Sequence, residues 1–154
     1  TDIHEEELDR ARAIGATVVK PDAIYDTECD VFSPCALGGV LNGRTIGSLK
    51  CSIIAGGANN QLLDKRDGEE IHKKGILYAP DYVINAGGII NVSAEMDGEY
   101  RPEWALEMVR RIYETTERVI HISREEDIPT SIAADRLAES HLIRSRDAKN
   151  ITDN

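Results

Sequence analysis

Gly75-Ile-Leu-Tyr-Ala-Pro-Asp-Tyr-Val-Ile-Asn-Ala-Gly-Gly-Ile-Ile-Asn-Val92 decides the reading of this chain. An apolar run at 76–79 meets a Pro-Asp turn, and Asn85-Ala-Gly-Gly88 follows within a few residues. The pattern is that of a buried strand ending at a polar corner with few bulky side chains, after which a helix starts at once. Open α/β sheets bind ligands at such corners, outside the carboxyl ends of their strands. Two similar corners precede it, Ser33-Pro-Cys-Ala-Leu-Gly-Gly39 and Ala55-Gly-Gly-Ala-Asn-Asn60. Three corners in one short chain imply one site assembled from several strand ends.

The apolar runs at 30–33, 51–55 and 76–79 are short and continuous rather than alternating. That suits parallel strands covered on both faces. Residues 68–74 between the last two carry a helical charge pattern, acidic first and basic last. Strand and crossover in repetition specify an α/β sheet. Upstream, residues 4–14 read as a helix with Glu5, Glu6 and Glu7 at its positive end and Leu8, Ala11 and Ile14 as its inward stripe. Gly15 suits its stop, and Ala16-Thr-Val-Val19 reads as another strand. Beyond residue 100, an amphipathic helix over 104–123 presents Ala105, Val109, Ile112, Thr116, Val119 and Ile120 at helical spacing. A second helix begins near Thr130, a candidate N-cap, with Ala133, Ala134, Leu137 and Ala138 inward. The polar tail from Ser145 reads as frayed. The expected division is a nucleotide-binding portion over 1–100 and C-terminal helices over 101–154.

At 154 residues the chain can bury one sizeable core. A net charge of −10 argues against nucleic acid, whose phosphates require clustered Lys and Arg. No apolar run reaches the ~20 residues of a membrane span. Cys29, Cys35 and Cys51 are odd in number and lack CxxC spacing, so buried, reduced thiols in a cytoplasmic protein are expected and no metal is implied. His4, His72, His121 and His141 are scattered among charged residues and read as solvated surface. The opening Thr1-Asp2-Ile3 lacks Met and leads straight into a helix, which suggests a piece of a longer protein.

Each candidate site residue has a plainer reading beside it. Asp2, before a helix, is placed to accept ribose hydroxyls at a strand end, or simply to cap the helix. Cys35 and Ala36 lie in a small-residue corner that lets backbone approach a flat ligand, or that merely turns. Asn59 and Asn60 carry amides that match a carboxamide and ribose hydroxyls, or that cap a helix. Asn85 has an amide able to pair with an amide. Ile89 and Val92, three apart, share a helical face that suits an aliphatic ligand or the core.

These corners, in this order, resemble the NAD-binding domain of the glutamate/leucine/phenylalanine/valine dehydrogenase family, over residues 1 to about 142. The resemblance implies a partial Rossmann fold, a doubly wound and mainly parallel sheet followed by C-terminal helices. It implies NAD-dependent oxidative deamination of a branched-chain L-amino acid, leucine foremost, to its 2-oxo acid. By position, Asp2 resembles the ribose-binding acid, and Cys35 and Ala36 a backbone platform near the adenosine. Asn59 and Asn60 match contacts to the nicotinamide ribose and reacting centre, Asn85 the residue orienting the carboxamide, and Ile89 and Val92 the walls of the side-chain pocket. The catalytic lysines and Asp of the family lie on another domain, so an isolated piece would be inactive. The family also implies a homo-oligomer. The rivals are a sibling acting on valine or phenylalanine, and a non-catalytic nucleotide-sensing module.

Overall fold

Short β-branched and apolar runs form the sheet because each can bury a side chain against the helices beside it while its backbone pairs laterally. β1 (Val31–Phe32), β2 (Ile53–Ile54) and β3 (Leu77–Tyr78) lie side by side in that order, all parallel, with Val31 opposite Ile53 and Ile53 opposite Leu77. The computed structural model describes residues 1–96 and 100–152, with side chains up to residue 143. The helices are α1 (Glu5–Ala13), α2 (Lys65–Lys73), α3 (Asp81–Ile84), α4 (Gly87–Met96), α5 (Pro102–Glu126) and α6 (Thr130–Thr152). This is the expected α/β fold, a parallel sheet followed by C-terminal helices.

One face of the sheet is well covered. Phe32, Ile54 and Tyr78 pack with Leu41, Ile46, Leu49, Ile71 and Ile76 into a single core. The opposite face differs from expectation. Val31 is 47% exposed, and Ile53 and Leu77 are only half-buried. The apolar runs are therefore those of strands with two buried faces, whereas the described residues cover one.

The α2 helix forms where the sequence is most explicit. Asp64 caps it by accepting the Arg66 N–H at 2.9 Å, and Asp67 returns a bond to the Asp64 N–H at 2.7 Å. That reciprocal pair satisfies two otherwise orphaned donors. The α5 helix packs against α3, α4 and α6, and α6 packs against α2 and β3. Val119, Ala133, Ala134 and Leu137 make their buried seam. Val109 and Ala138, expected inward, are exposed.

Several local expectations give way to tertiary context. Residues 16–20 form no strand, because no other strand lies alongside them among the described residues. The α1 helix buries none of its residues, and Ile14 is 86% exposed. Thr130 is the first residue of α6 rather than its cap, and its hydroxyl donates to the Tyr78 carbonyl at 2.6 Å, pinning α6 to the end of β3. The thiols are free but not buried: Cys29 and Cys51 are half-buried and Cys35 is exposed. His72 is half-buried and bonds Asp127 at 3.1 Å rather than standing in solvent. The α6 backbone runs on to Thr152, past the predicted fraying at Ser145.

Candidate nucleotide-binding site

The three corners meet. The Pro34 carbonyl accepts the Ala58 N–H at 2.9 Å, and the Asn60 carbonyl accepts the Gly39 N–H at 2.7 Å. These bonds stitch the loop after β1 to the loop after β2. Two glycines permit the approach. A Cβ on Gly56 would run into the Pro34 backbone, and one on Gly38 would lie 2.8 Å from the Asn59 carbonyl oxygen. In contrast, a Cβ on Gly57 or Gly88 would meet nothing within 4 Å. Those two are not demanded by packing, and they leave open space beside the corners.

The loop after β2 is joined to the segment after β3 by side chains. Asn85 Nδ2 donates to Asn59 Oδ1 at 2.6 Å. Asn60 takes part through its backbone: it sits in the left-handed region at φ 54°, and its N–H donates to Asp81 Oδ2 at 2.8 Å. Asn59 is exposed and Asn85 half-buried, so the amide pair faces outward rather than serving the core.

Asp2, Cys35 and Ala36 line a separate cleft of about 430 Å³ with Val31 and Leu37. Asp2 Oδ1 accepts the His4 N–H at 2.9 Å, and that bond holds its carboxyl below the usual range. Asp2 is not the helix cap, a position that His4 takes with no side-chain bond, and it lines the cleft instead. Cys35 Sγ accepts the Gly57 N–H at 3.5 Å and lies 3.4 Å from Ser33 Oγ. Those two bonds, the backbone one foremost, lower its thiol pKa, so Cys35 links the cleft to the glycine corner.

Ile89 and Val92 are not core residues. They are 66% and 50% exposed on α4, and Met96 extends the same apolar face at 80% exposure. The arrangement therefore offers a carboxylate-bearing cleft, a glycine-lined corner, an amide pair and an exposed aliphatic face.

Two structural residues escaped the reading of the sequence. Gln61 is fully buried, and its Nε2 donates to the carbonyls of Gly56 at 2.7 Å and Ala58 at 3.0 Å, bracing the glycine corner from beneath. Asp81 is 6% exposed and accepts the Tyr78 hydroxyl at 2.6 Å as well as the Asn60 N–H. Burial first, and then that bond, raises the Tyr78 phenol pKa. A polar residue directly after tandem Asn, and an acid after Pro80, were the available signals.

Residues 3–145 match the model of the Glutamate/Leucine/Phenylalanine/Valine dehydrogenase family. The chain belongs to that family. Its members are amino-acid dehydrogenases, hence oxidoreductases. The chain is 52% identical over 143 residues to the leucine dehydrogenase of Thermoactinomyces intermedius, covering 92% of this chain and 39% of that enzyme. It thus spans about two-fifths of the length of such relatives. Among solved structures, L-tryptophan dehydrogenase from Nostoc punctiforme superposes with a TM-score of 0.87 at 48% identity, covering 93% of this chain and 44% of that one. A hetero-hexameric glutamate dehydrogenase from Thermus thermophilus shares the fold, with a TM-score of 0.61 at 21% identity over 91% of this chain and 37% of its own.

Proposed function

We propose that the protein carrying this chain is an NAD-dependent dehydrogenase that oxidatively deaminates a branched-chain L-amino acid, leucine foremost, to its 2-oxo acid. The observation that carries this is the 2.6 Å Asn85–Asn59 pair at interlocked strand ends, in a chain of this family. The donor set fits a dinucleotide. Asn59 and Asn85 offer amide donors and acceptors suited to a carboxamide and ribose hydroxyls. The open sides of Gly57 and Gly88 leave room for a flat ring. Asp2 offers an acceptor for adenosine ribose hydroxyls and repels a 2′-phosphate, which favours NAD over NADP. Cys35 and Ala36 line that cleft.

Bound NAD would supply the hydride acceptor. In this reading Asn85 orients the carboxamide while Asn59 and Asn60 hold the adjacent ribose, so one face of the ring is turned towards the substrate. Ile89 and Val92 present an aliphatic wall to the substrate side chain and exclude water from it. The groups that bind the substrate carboxylate and move protons belong to the remaining three-fifths of such an enzyme, so this chain alone is inactive. Residues 1–100 form the nucleotide portion, and 101–154 return towards the substrate domain. We place the full-length enzyme in the cytoplasm as a homo-oligomer, with the exposed Leu106 and Tyr113 of α5 available for burial between subunits.

An aromatic substrate is the second reading, favoured by the close superposition on a tryptophan dehydrogenase. One apolar carbon more or less in a pocket is worth only about 1–3 kcal/mol, so a few wall residues decide between siblings. The test is initial-rate NAD reduction by the full-length protein with L-leucine, L-valine, L-phenylalanine and L-tryptophan. Highest kcat/KM with leucine is expected. Preference for an aromatic would overturn the substrate, and tight NAD binding without turnover of any of them would favour a sensing module.

A further inference from the structure

Asp81 is bonded to both segments that carry the amide pair. Its Oδ2 accepts the Asn60 N–H at 2.8 Å, which holds the backbone next to Asn59 in its left-handed turn. Its main-chain carbonyl accepts the Asn85 N–H at 2.9 Å, the closing bond of α3 that any residue here would make, so the side chain acts on the Asn59 side of the pair. Its Oδ1 accepts the Tyr78 hydroxyl at 2.6 Å, which ties the residue to β3. The local explanation, an acid favouring the start of a helix, does not account for this. The α3 helix spans only Asp81–Ile84, and the carboxylate reaches past it to an N–H 21 residues upstream.

We propose that Asp81 is a positioning residue for the hydride-transfer site: it sets the distance between Asn59 and Asn85, and through them the angle of the nicotinamide. The proposal rests on the dehydrogenase reading given above. Displacing oriented groups by about 1 Å can cost on the order of a hundredfold in rate. Most of the dinucleotide is gripped elsewhere in such a site, so the loss should fall on kcat rather than on the KM for NAD.

The experiment uses the full-length enzyme, with kinetic constants expressed per folded molecule. Asp81→Ala should lower kcat by about a hundredfold with the KM for NAD changed less than about threefold. Asp81→Asn keeps an oxygen for the Asn60 N–H and an amide that the Tyr78 oxygen can accept from, so it should retain kcat within about tenfold. Tyr78→Phe leaves the bond to Asn60 in place and should stay within about threefold. In an Asn59→Ala background, the Asp81 substitutions should cost almost nothing further, because the amide whose backbone they hold in place is gone. If Asp81→Ala does not fold, the loss in Asp81→Asn must vanish on that background in the same way. Full multiplicative losses in the double variants, or equal losses for Asp81→Ala and Tyr78→Phe, would overturn the positioning role and leave the dehydrogenase reading standing. If Asn59→Ala and Asn85→Ala themselves leave kcat unchanged, the amide-pair reading falls and this proposal falls with it.

Discussion

The α1 segment and the strand-end corners both rely on polar side chains but hold themselves together differently. In α1 each side-chain bond is local: Arg10 to Glu7, Arg12 to Glu5 and to Asp9, all exposed. At the corners, bonds join residues far apart in sequence: Cys35 to Gly57, Asn60 to Asp81, Asn85 to Asn59. Local pairs stabilise a helix without placing it, whereas long-range bonds fix where the chain goes. Only the second arrangement can hold several groups at the fixed separations that a ligand requires.

The sharpest way to break this contrast is at two adjacent glycines. A Cβ on Gly56 would collide with the Pro34 backbone, forcing the first two corners apart. Gly56→Ala should cost about 3 kcal/mol or more of stability, as overpacking of a tight contact does. Gly57→Ala, one residue on, meets open space and should change stability by less than about 1 kcal/mol. It should still weaken NAD binding by roughly tenfold, because the added methyl occupies the ligand's side of the corner. Chemical denaturation and NAD titration of the full-length variants separate the two effects. Equal stability losses would show that the corners are not interlocked as described.

The same contrast explains what was legible in the sequence. The strand cores at Val31–Phe32, Ile53–Ile54 and Leu77–Tyr78 were readable because their apolar runs are too short for a buried helix and end at Gly- or Pro-bearing corners. The α2 helix was readable from its charges, although it starts three residues before the expected 68, at Lys65 just after the Asp64 cap. Ala16-Thr-Val-Val19 misled because β-propensity expresses fit to neighbouring strands, and none lies beside these residues in the described structure. The meeting of Asn59 and Asn85 was legible as a convergence of corners, but not as a direct bond. Gln61 and Asp81 were missed for one physical reason: their polar types flagged them, but their partners are set by tertiary closure, which residue type does not name. Ile89 and Val92 had two readings, a ligand-facing wall or the core, and the structure leaves both exposed, against the general burial statistics that favour the core.

A chemical probe of intermediate effect compares Cys35 with Cys51. The Gly57 N–H and the Ser33 hydroxyl stabilise the Cys35 thiolate and lower its pKa, whereas burial raises that of Cys51. The thiolate is the nucleophile, so at neutral pH a larger fraction of Cys35 is reactive, and it is also the exposed one. Iodoacetamide labelling read by peptide mass spectrometry between about pH 6 and 9 should therefore modify Cys35 several-fold faster, with the gap narrowing as pH rises. Saturating NAD should slow it, because Cys35 lines the cleft with Asp2. Faster labelling of Cys51 would show that the corner bonds to sulfur do not persist in solution.

The smallest expected effect is at Arg12, and it tests the other half of the comparison. Its guanidinium touches both Glu5 and Asp9, and the bond to Glu5 raises its pKa further above an already high value. A group whose folded-state pKa is raised contributes stability below its unfolded pKa and loses that contribution only as pH climbs through the folded value. For an arginine both lie far above neutrality, so no pH dependence arises from it in the ordinary range. The pairs are also solvent-exposed, where side-chain entropy and salt screening cancel most of the attraction. Arg12→Ala should therefore leave the thermal midpoint unchanged within error, at low and high salt alike, while Gly56→Ala moves it by many degrees. A loss at Arg12 comparable to that at Gly56 would mean that α1 is held by its ion pairs after all, and that local pairing can fix a segment's place in this fold.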